Sequence, residues 1–205
     1  MLRLWPYRAM RFFPLAAFVL ALAACSAGDP ASRIPGCSEK TGLPIGGPIT
    51  LTSNRGERVT EDFFKGRKTL VFFGYTYCPD FCPRTLSAIG TAMTLLPKGV
   101  KKPMTAFISV DPARDTPAQL TSYIASNGFP ADIVGLTGTQ DELEAAAKGF
   151  GTSFQRNDDP NSASGYLMSH GTILYLMDEN WKLQTFFSQE MRPSDMAKCI
   201  AALSR

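Results

Sequence analysis

Two cysteines in this chain, Cys78 and Cys82, have the type and spacing to do chemistry. They stand between an apolar segment rich in β-forming residues, 69–75, and a segment with the pattern of a helix, 84–96. The amino end of a helix favours negative charge, so we expect at least one of the two thiols to ionise readily. Thiolates bind soft metals, Cu(I) with zinc as a competitor, and they also attack disulfides. The spacing alone leaves a metal site and a redox dithiol both open.

A structural disulfide between Cys78 and Cys82 is the alternative that involves no function. Such a bond would close a very short loop, and the stabilisation expected from a disulfide falls as the closed loop shortens. The pair also lies at a predicted strand-to-helix junction, where thiols are accessible and easily ionised. We therefore favour a functional site over a structural bond.

The order of the predicted elements places this pair at the edge of a sheet. Strands are predicted as a hairpin over 48–60, as buried strands over 69–75, 104–110 and 133–136, and as a closing hairpin over 166–187. Helices are predicted between the buried strands and at the end of the chain, with Thr116 and Thr139 as N-caps. Residues 156–165 are predicted to form a polar loop. The pattern indicates an α/β fold with parallel strand pairs and resembles a thioredoxin-like three-layer fold with an added N-terminal β-hairpin.

His170 is the single histidine of the chain and precedes the apolar segment 173–177. A lone histidine is more often a structural residue than a ligand. In thioredoxin-like folds, however, the loop at this place faces the cysteine motif, so we expect the imidazole to lie near the two thiols. Two thiolates and one imidazole form a three-coordinate site that suits Cu(I), and they would leave a fourth position open on zinc.

Asp111 is a weaker candidate for the same site. It ends the second buried strand, at the edge of the sheet where the cysteines are expected. Its carboxylate is either an auxiliary oxygen ligand or a cap of its own loop, and the sequence leaves both roles open.

The first 24 residues are typical of a signal peptide. Three arginines precede an apolar run that is too short to span a bilayer comfortably, and small residues follow it directly before Cys25. This order resembles the signal of bacterial lipoproteins, in which the cysteine is lipidated. An ordinary secretory signal, with Cys25 incidental, is the alternative.

These features predict three segments. Residues 1–24 are expected to be a lipoprotein signal peptide, 25–43 a lipidated tether rich in Gly, Pro and Ser, and 44–205 the thioredoxin-like, copper-binding domain. The protein would be exported and lipid-anchored to a bacterial membrane, with the domain facing the periplasm or the cell exterior.

The charge of the chain gives no indication of nucleic-acid binding. Three of the 21 basic residues, and none of the 18 acidic ones, belong to residues 1–24. Without that segment the basic and acidic residues balance, so the excess of positive charge belongs to the signal peptide. We expect no nucleic acid among the partners.

Three motifs, in the same order, resemble those of the Sco (SenC) family. They are the segment 72–83, which ends in Cys-Pro-Asp-Phe-Cys-Pro, the segment 109–117, which contains Asp-Pro-Ala-Arg-Asp-Thr-Pro, and His170 with the apolar strand after it. The resemblance covers roughly residues 44–203. It implies a thioredoxin-like fold and copper, as Cu(I) or alternatively Cu(II), held by the two cysteines and the histidine.

The resemblance also implies a place in respiration. The family is associated with assembly of the dinuclear copper centre of cytochrome c oxidase subunit II, so that subunit or another copper-receiving protein is the expected partner. Some members are regarded as thiol-disulfide reductases or redox signalling proteins, which leaves the question of enzyme activity open. The family often uses a transmembrane anchor, whereas this sequence indicates a lipid.

Two other functions are weighed against the copper chaperone. A thiol-disulfide oxidoreductase would use Cys78 for attack and Cys82 for resolution, but the pair has three intervening residues instead of two, and His170 would have no role. A peroxidase of the peroxiredoxin type shares the fold, but its proline- and threonine-bearing cysteine loop is not reproduced around Cys78.

Two further cysteines, Cys37 and Cys199, lie outside these motifs. If the chain is exported, both enter an oxidising compartment. One precedes the domain and the other lies on the last predicted helix. We expect a disulfide between them that fastens the tether to the fold; a free, buried Cys199 and an exposed Cys37 are the alternative.

Overall fold

The computed structural model describes residues 30–159 and 165–204. Residues 1–24, for which a signal peptide is predicted, and Cys25 lie outside these residues. The strands are β1 Thr50–Ser53, β2 Arg58–Thr60, β3 Thr69–Gly74, β4 Met104–Ser109, β5 Ile133–Thr137, β6 Phe154–Asp158, β7 Tyr166–His170, β8 Leu174–Met177 and β9 Leu183–Phe187. The helices are α1 Phe81–Thr94, α2 Pro117–Ile124, α3 Gln140–Gly149 and α4 Pro193–Ala202, with short 3-10 helices at Pro30–Arg33 and Glu61–Phe64.

Seven of the described strands form one mixed sheet in the order β2-β1-β5-β4-β3-β8-β9. The three neighbours β5, β4 and β3 run parallel, and β1 and β8 flank them in the antiparallel direction. The edge strands β2 and β9 pair antiparallel with β1 and β8. Every residue of β3 and β4 is buried. Strands covered on both faces read as continuous apolar runs, and the sequences of these two strands have that character. The predicted α/β, thioredoxin-like fold with an added N-terminal hairpin is confirmed.

Helices α2 and α3 begin where their sequences predict, whereas α1 begins at Phe81, before the predicted segment 84–96. Thr116 accepts a hydrogen bond from the backbone N–H of Gln119, and Pro117 follows it as the first helical residue of α2. Thr139 and Glu142 form a reciprocal capping box at the start of α3. These caps fix the loops after β4 and β5 at the same edge of the sheet as the loop after β3.

One prediction about the strands was wrong. Residues 166–177 were expected to form a single strand, preceded by a polar loop over 156–165. The structure instead divides them into β7 and β8, and β7 pairs with β6 in a separate two-stranded sheet. Strand β6 was missed because four of its five residues are exposed and polar, so it carries no burial pattern that a sequence can show.

The chain before the domain is in contact with it from Ala31 onward. Ala31 is fully buried, and its 3-10 helix packs against α4. Farther along, the Thr185 hydroxyl donates to the carbonyl of Ser38, and the Lys40 N–H donates to the carbonyl of Gln184. The part of the expected tether that the structure describes therefore lies on the domain surface near α4 and β9.

Membrane-spanning helices were sought among the described residues only. Over 30–159 and 165–204, no helix has the length and apolar character needed to cross a bilayer.

Candidate metal centre

The cysteine pair lies where β3 passes into α1. Strand β3 ends at Gly74, Cys78 lies in the following turn, and Cys82 is the second residue of the helix. The backbone N–H of Cys82 donates to the Cys78 sulfur at 3.2 Å, while Asp80, at the N-cap, accepts no side-chain capping bond. The Cys78 sulfur therefore satisfies one of the free N–H groups that every helix start presents. Both thiols are free, and both are buried.

The surroundings of the two thiols favour one negative charge on Cys78. The pKa of Cys78 is lowered to about 4, and a hydrogen bond from the Cys82 side chain is the largest cause. Burial opposes the shift, while hydrogen bonds from His170 and from the backbone of residues 82 and 80 contribute to it. The hydrogen bond to Cys78, together with burial, raises the pKa of Cys82. The reduced pair thus consists of a thiolate at Cys78 and a thiol at Cys82.

His170 ends β7 and turns its imidazole toward the cysteines. Its Nε2 lies 3.7 Å from the sulfur of Cys82, and its Nδ1 lies 2.9 Å from the carbonyl oxygen of Gly171. A carbonyl only accepts hydrogen bonds, so Nδ1 carries a proton, and Nε2 is the ring nitrogen that faces the thiols. The rings of Phe72 and Tyr75 approach the imidazole edge-on, at centroid distances of 6.2 and 5.8 Å. The ring is held in both its tautomer and its orientation.

The three side chains have the arrangement of a metal site. The Cys78 and Cys82 sulfurs and a His170 nitrogen all lie within 4.8 Å of one another. With metal–ligand bonds of about 2.0–2.3 Å, as in zinc sites, ligand atoms stand about 3.5–4 Å apart, so only a small contraction would close this group around an ion. Two sulfurs and one imidazole form a soft donor set. Within the described parts of the chain, no other group of three His, Cys, Asp or Glu residues has such geometry.

Asp111 does not join this group. Its carboxylate accepts hydrogen bonds from the Tyr166 hydroxyl, at 2.8 Å, and from the Nε–H of Arg114, while its backbone N–H donates to the Ser109 hydroxyl. The side chain is buried and occupied by these partners. Of the two roles considered for Asp111, the structure places it in the loop network and not among the sulfur and nitrogen ligands.

Asp115, from the same loop, holds the turn that carries the cysteines. Fully buried, it accepts hydrogen bonds from the Thr76 backbone N–H and hydroxyl and from the Ser109 hydroxyl. Burial is the largest influence on this carboxyl group and raises its pKa. Its neighbour in sequence, Arg114, pairs with Asp111 of the same loop.

Two glycines permit the close approach of the ligand residues, and sequence reasoning missed both. A Cβ at Gly74 would lie 2.9 Å from the Cys82 sulfur and 2.7 Å from Phe107, and a Cβ at Gly171 would clash with the Thr152 hydroxyl. Neither glycine has a positive φ. The available signal is their position, since each directly ends or follows a strand that carries the site.

The other pair of cysteines does not belong to the candidate metal centre. Cys37 and Cys199 are joined by a disulfide, at a sequence separation of 162. The bond links the segment before the domain to α4, and both cysteines are buried.

The comparisons agree with this architecture. The profile of the SCO1/SenC family matches residues 38–205. The chain belongs to this family. Among curated proteins, Protein sco1 of Schizosaccharomyces pombe is 35% identical over 77% of this chain and 60% of its own length. Protein SenC of Rhodobacter capsulatus is 34% identical over 82% of this chain and 76% of its own length.

Solved structures of SCO1/SenC proteins resemble the chain as well. The crystal structure of Arabidopsis thaliana ScoI with copper bound superimposes with a TM-score of 0.73 and 30% identity, over 78% of this chain and 97% of that one. Among the curated relatives, this chain spans only 60% of the length of Protein sco1 of Schizosaccharomyces pombe.

Proposed function

We propose that this chain is a copper chaperone that holds Cu(I) through Cys78, Cys82 and His170. The observation that carries the proposal is the convergence of two sulfurs and one imidazole nitrogen within 4.8 Å at the edge of the sheet. Two thiolate and one imidazole donors suit three-coordinate Cu(I), whereas zinc would be left with an open fourth position in this group. The copper-bound structure of the similar Arabidopsis protein supports the choice of metal.

The proposed destination of the copper is the dinuclear centre of cytochrome c oxidase subunit II. Membership of the SCO1/SenC family supports a role in oxidase assembly. The geometry is consistent with transfer, because Cys78 lies in a turn at the edge of the sheet while Tyr77 beside it is exposed. Subunit II or another copper-receiving protein is the partner that we propose.

We propose that the protein is exported and anchored by a lipid to a bacterial membrane. Support comes from the sequence, in which a basic leader, an apolar run and small residues precede Cys25. In this proposal residues 1–24 are removed, Cys25 carries the lipid, 25–43 form the tether, and the domain faces the periplasm or the cell exterior. The disulfide between Cys37 and Cys199 fits an oxidising compartment.

Anaerobic titration with Cu(I) tests the proposal. The reduced protein is expected to bind one Cu(I) and to keep it against a mild chelator. Binding should be abolished in Cys78→Ser and weakened in His170→Ala, because each substitution removes one donor from the group. Failure of the reduced wild-type protein to retain copper would show that the chaperone proposal is wrong.

A thiol-disulfide reductase is the second candidate, and the state of the cysteine pair favours it. A thiolate at Cys78 can attack a partner disulfide, and the neighbouring Cys82 can then attack the mixed disulfide. The products are a reduced partner and a Cys78–Cys82 disulfide. Oxidase assembly that survives unchanged in a His170→Ala strain would favour this function, because disulfide exchange does not need the imidazole.

A further inference from the structure

Arg114 lies between the two segments that carry the candidate ligands, the turn with the cysteines and the strand with His170. It lies in the loop after β4, with only 14% of its side chain exposed. Its guanidinium carbon is 3.5 Å from the centre of the Tyr166 ring, and its Nη1 donates to the Tyr166 carbonyl at 3.2 Å. The same group lies 4.8 Å from the ring of Tyr77 and 5.8 Å from that of Tyr75, in the turn that leads to Cys78. One side chain therefore spans the cysteine turn and the strand that ends in His170.

Asp111 holds Arg114 and Tyr166 in their stacked arrangement. It accepts hydrogen bonds from Arg114 and from the Tyr166 hydroxyl, so one carboxylate binds both members of the stacked pair. Asp111 is 2% exposed, which means that these contacts are made away from bulk water. Charge-assisted hydrogen bonds are strong in such surroundings. Asp111, Arg114 and Tyr166 form a unit that we call the tyrosine clamp.

The clamp adds to the attachments of strand β7, in which Met168 also packs into the hydrophobic core. Strand β7 is not part of the seven-stranded sheet, and its pairing within the described residues is with the exposed strand β6. Tyr166 begins β7 and His170 ends it. The four steps of extended strand from Tyr166 to His170 span about 13 Å. The clamp therefore holds the first residue of β7, and the last residue of the same strand carries the imidazole.

We propose that the tyrosine clamp is a positioning device for His170. Its contacts set the position of β7 relative to the cysteine turn, so that Nε2 meets the two sulfurs before any metal binds. Its copper-binding consequence rests on the proposed function, but the placement of the imidazole does not. Residues that orient metal ligands without touching the metal commonly change affinity tenfold or more.

Three substitutions test the clamp in the full-length protein. Arg114→Lys keeps a positive charge beside Asp111 but loses the planar group that stacks on Tyr166 and donates to its carbonyl. Tyr166→Phe keeps the ring and removes only the hydroxyl bonded to Asp111. Arg156→Lys is the matched control. The guanidinium of Arg156 also stacks on the Tyr166 ring, at 3.8 Å, but Arg156 lies in β6, the strand paired with β7, and it pairs with Asp158.

The first measurement needs no metal. Since the chain has a single histidine, the imidazole gives one set of carbon–proton signals in an NMR spectrum of the reduced, metal-free protein. The edge-on rings of Phe72 and Tyr75 should shift these signals away from their values in the urea-unfolded chain. We expect Arg114→Lys and Tyr166→Phe to move the signals toward the unfolded values, and Arg156→Lys to leave them in place. Signals unchanged in the first two variants, or moved equally in the control, would overturn the proposal.

The second measurement is a double-mutant cycle on Cu(I) affinity. Arg114→Lys should raise the dissociation constant about tenfold in the wild-type background. In a His170→Ala background the same substitution should change it by less than about twofold, because its effect acts through the imidazole. An equal loss in both backgrounds would overturn the proposal, since a general loss of structure does not depend on His170.

These two measurements separate the clamp from the proposed function. If the wild-type protein binds no copper, the chaperone function fails, and the NMR result still decides whether the clamp positions the imidazole. If copper binds and the imidazole signals do not move in Arg114→Lys and Tyr166→Phe, the proposed function stands and the positioning role is wrong.

Discussion

At the scale of single residues, each ligand depends on a different neighbour. The charge on Cys78 depends on hydrogen bonds from Cys82, whose backbone N–H lies 3.2 Å from the sulfur. The tautomer of His170 depends on the carbonyl of Gly171, 2.9 Å from Nδ1. The metal-free site therefore brings one thiolate, one thiol and the Nε2 nitrogen of one imidazole to the same point.

The ionisation of Cys78 predicts its reactivity. Because its pKa is lowered to about 4, Cys78 is a thiolate in the folded, reduced protein throughout the range from pH 6 to 9. Its rate of alkylation by iodoacetamide should change by less than about twofold over that range, whereas an ordinary thiol with a pKa near 8.5 changes on the order of a hundredfold. Peptide mapping by mass spectrometry follows Cys78 and Cys82 separately. An alkylation rate at Cys78 that rises with pH like that of an ordinary thiol would contradict the assignment of the charge.

At the scale of the elements, the site depends on how closely β3 and α1 approach each other. Gly74 ends β3, and the absence of a side chain there leaves room for the Cys82 sulfur and the ring of Phe107. Loops from two other strands complete the site. Asp115 ties the loop after β4 to Thr76, and the end of β7 supplies the histidine.

A methyl group at Gly74 should disturb both packing and metal binding. Gly74→Ala would place a Cβ 2.9 Å from the Cys82 sulfur, so we expect a loss of about 1–3 kcal/mol in the free energy of unfolding, measured by urea denaturation, and weaker Cu(I) binding. Gly135→Ala is the control. Gly135 lies in β5 of the same sheet, and its added Cβ would meet Leu120 of α2 at 3.0 Å instead of a cysteine. It should cost stability and leave copper affinity unchanged. Equal copper affinity in both variants would show that Gly74 has no special role at the site.

Much of this arrangement could be predicted from the sequence, but not all of it. The buried strands β3 and β4 are continuous apolar runs, and the caps at Thr116 and Thr139 are local signals, so both were predicted correctly. Strand β6 could not be found, because an exposed polar strand has the composition of a loop. The partners of Arg114 were missed as well, since Tyr166 lies 52 positions away in sequence and only the folded chain brings them together.

At the scale of the whole molecule, the two cysteine pairs have separate surroundings. Cys78 and Cys82 are free thiols at the edge of the sheet, whereas Cys37 and Cys199 join the start of the described chain to the last helix. A bond between Cys37 and Cys199 closes a long loop, so it restricts the unfolded chain more than a bond between Cys78 and Cys82 would. Stability and metal chemistry are thus assigned to different cysteines.

Removal of the Cys37–Cys199 disulfide should test that division. Because the bond closes a loop with a sequence separation of 162, we expect Cys37→Ser with Cys199→Ser to lose about 2–5 kcal/mol in the free energy of unfolding. The affinity for Cu(I), measured under conditions where the variant is folded, should stay within about twofold of the wild type, since neither cysteine belongs to the metal centre. Unchanged stability would mean that the bond does not fasten the chain in solution.

Copper K-edge X-ray absorption on the reduced, Cu(I)-loaded protein tests the central claim most directly. The arrangement of Cys78, Cys82 and His170 predicts two sulfur ligands and one imidazole nitrogen, at about 2.0–2.3 Å as in comparable zinc sites. In His170→Ala the nitrogen and the outer scattering of the imidazole ring should disappear while both sulfurs remain. A wild-type spectrum with sulfur ligands alone, or one that does not change on loss of His170, would contradict the proposed three-residue site.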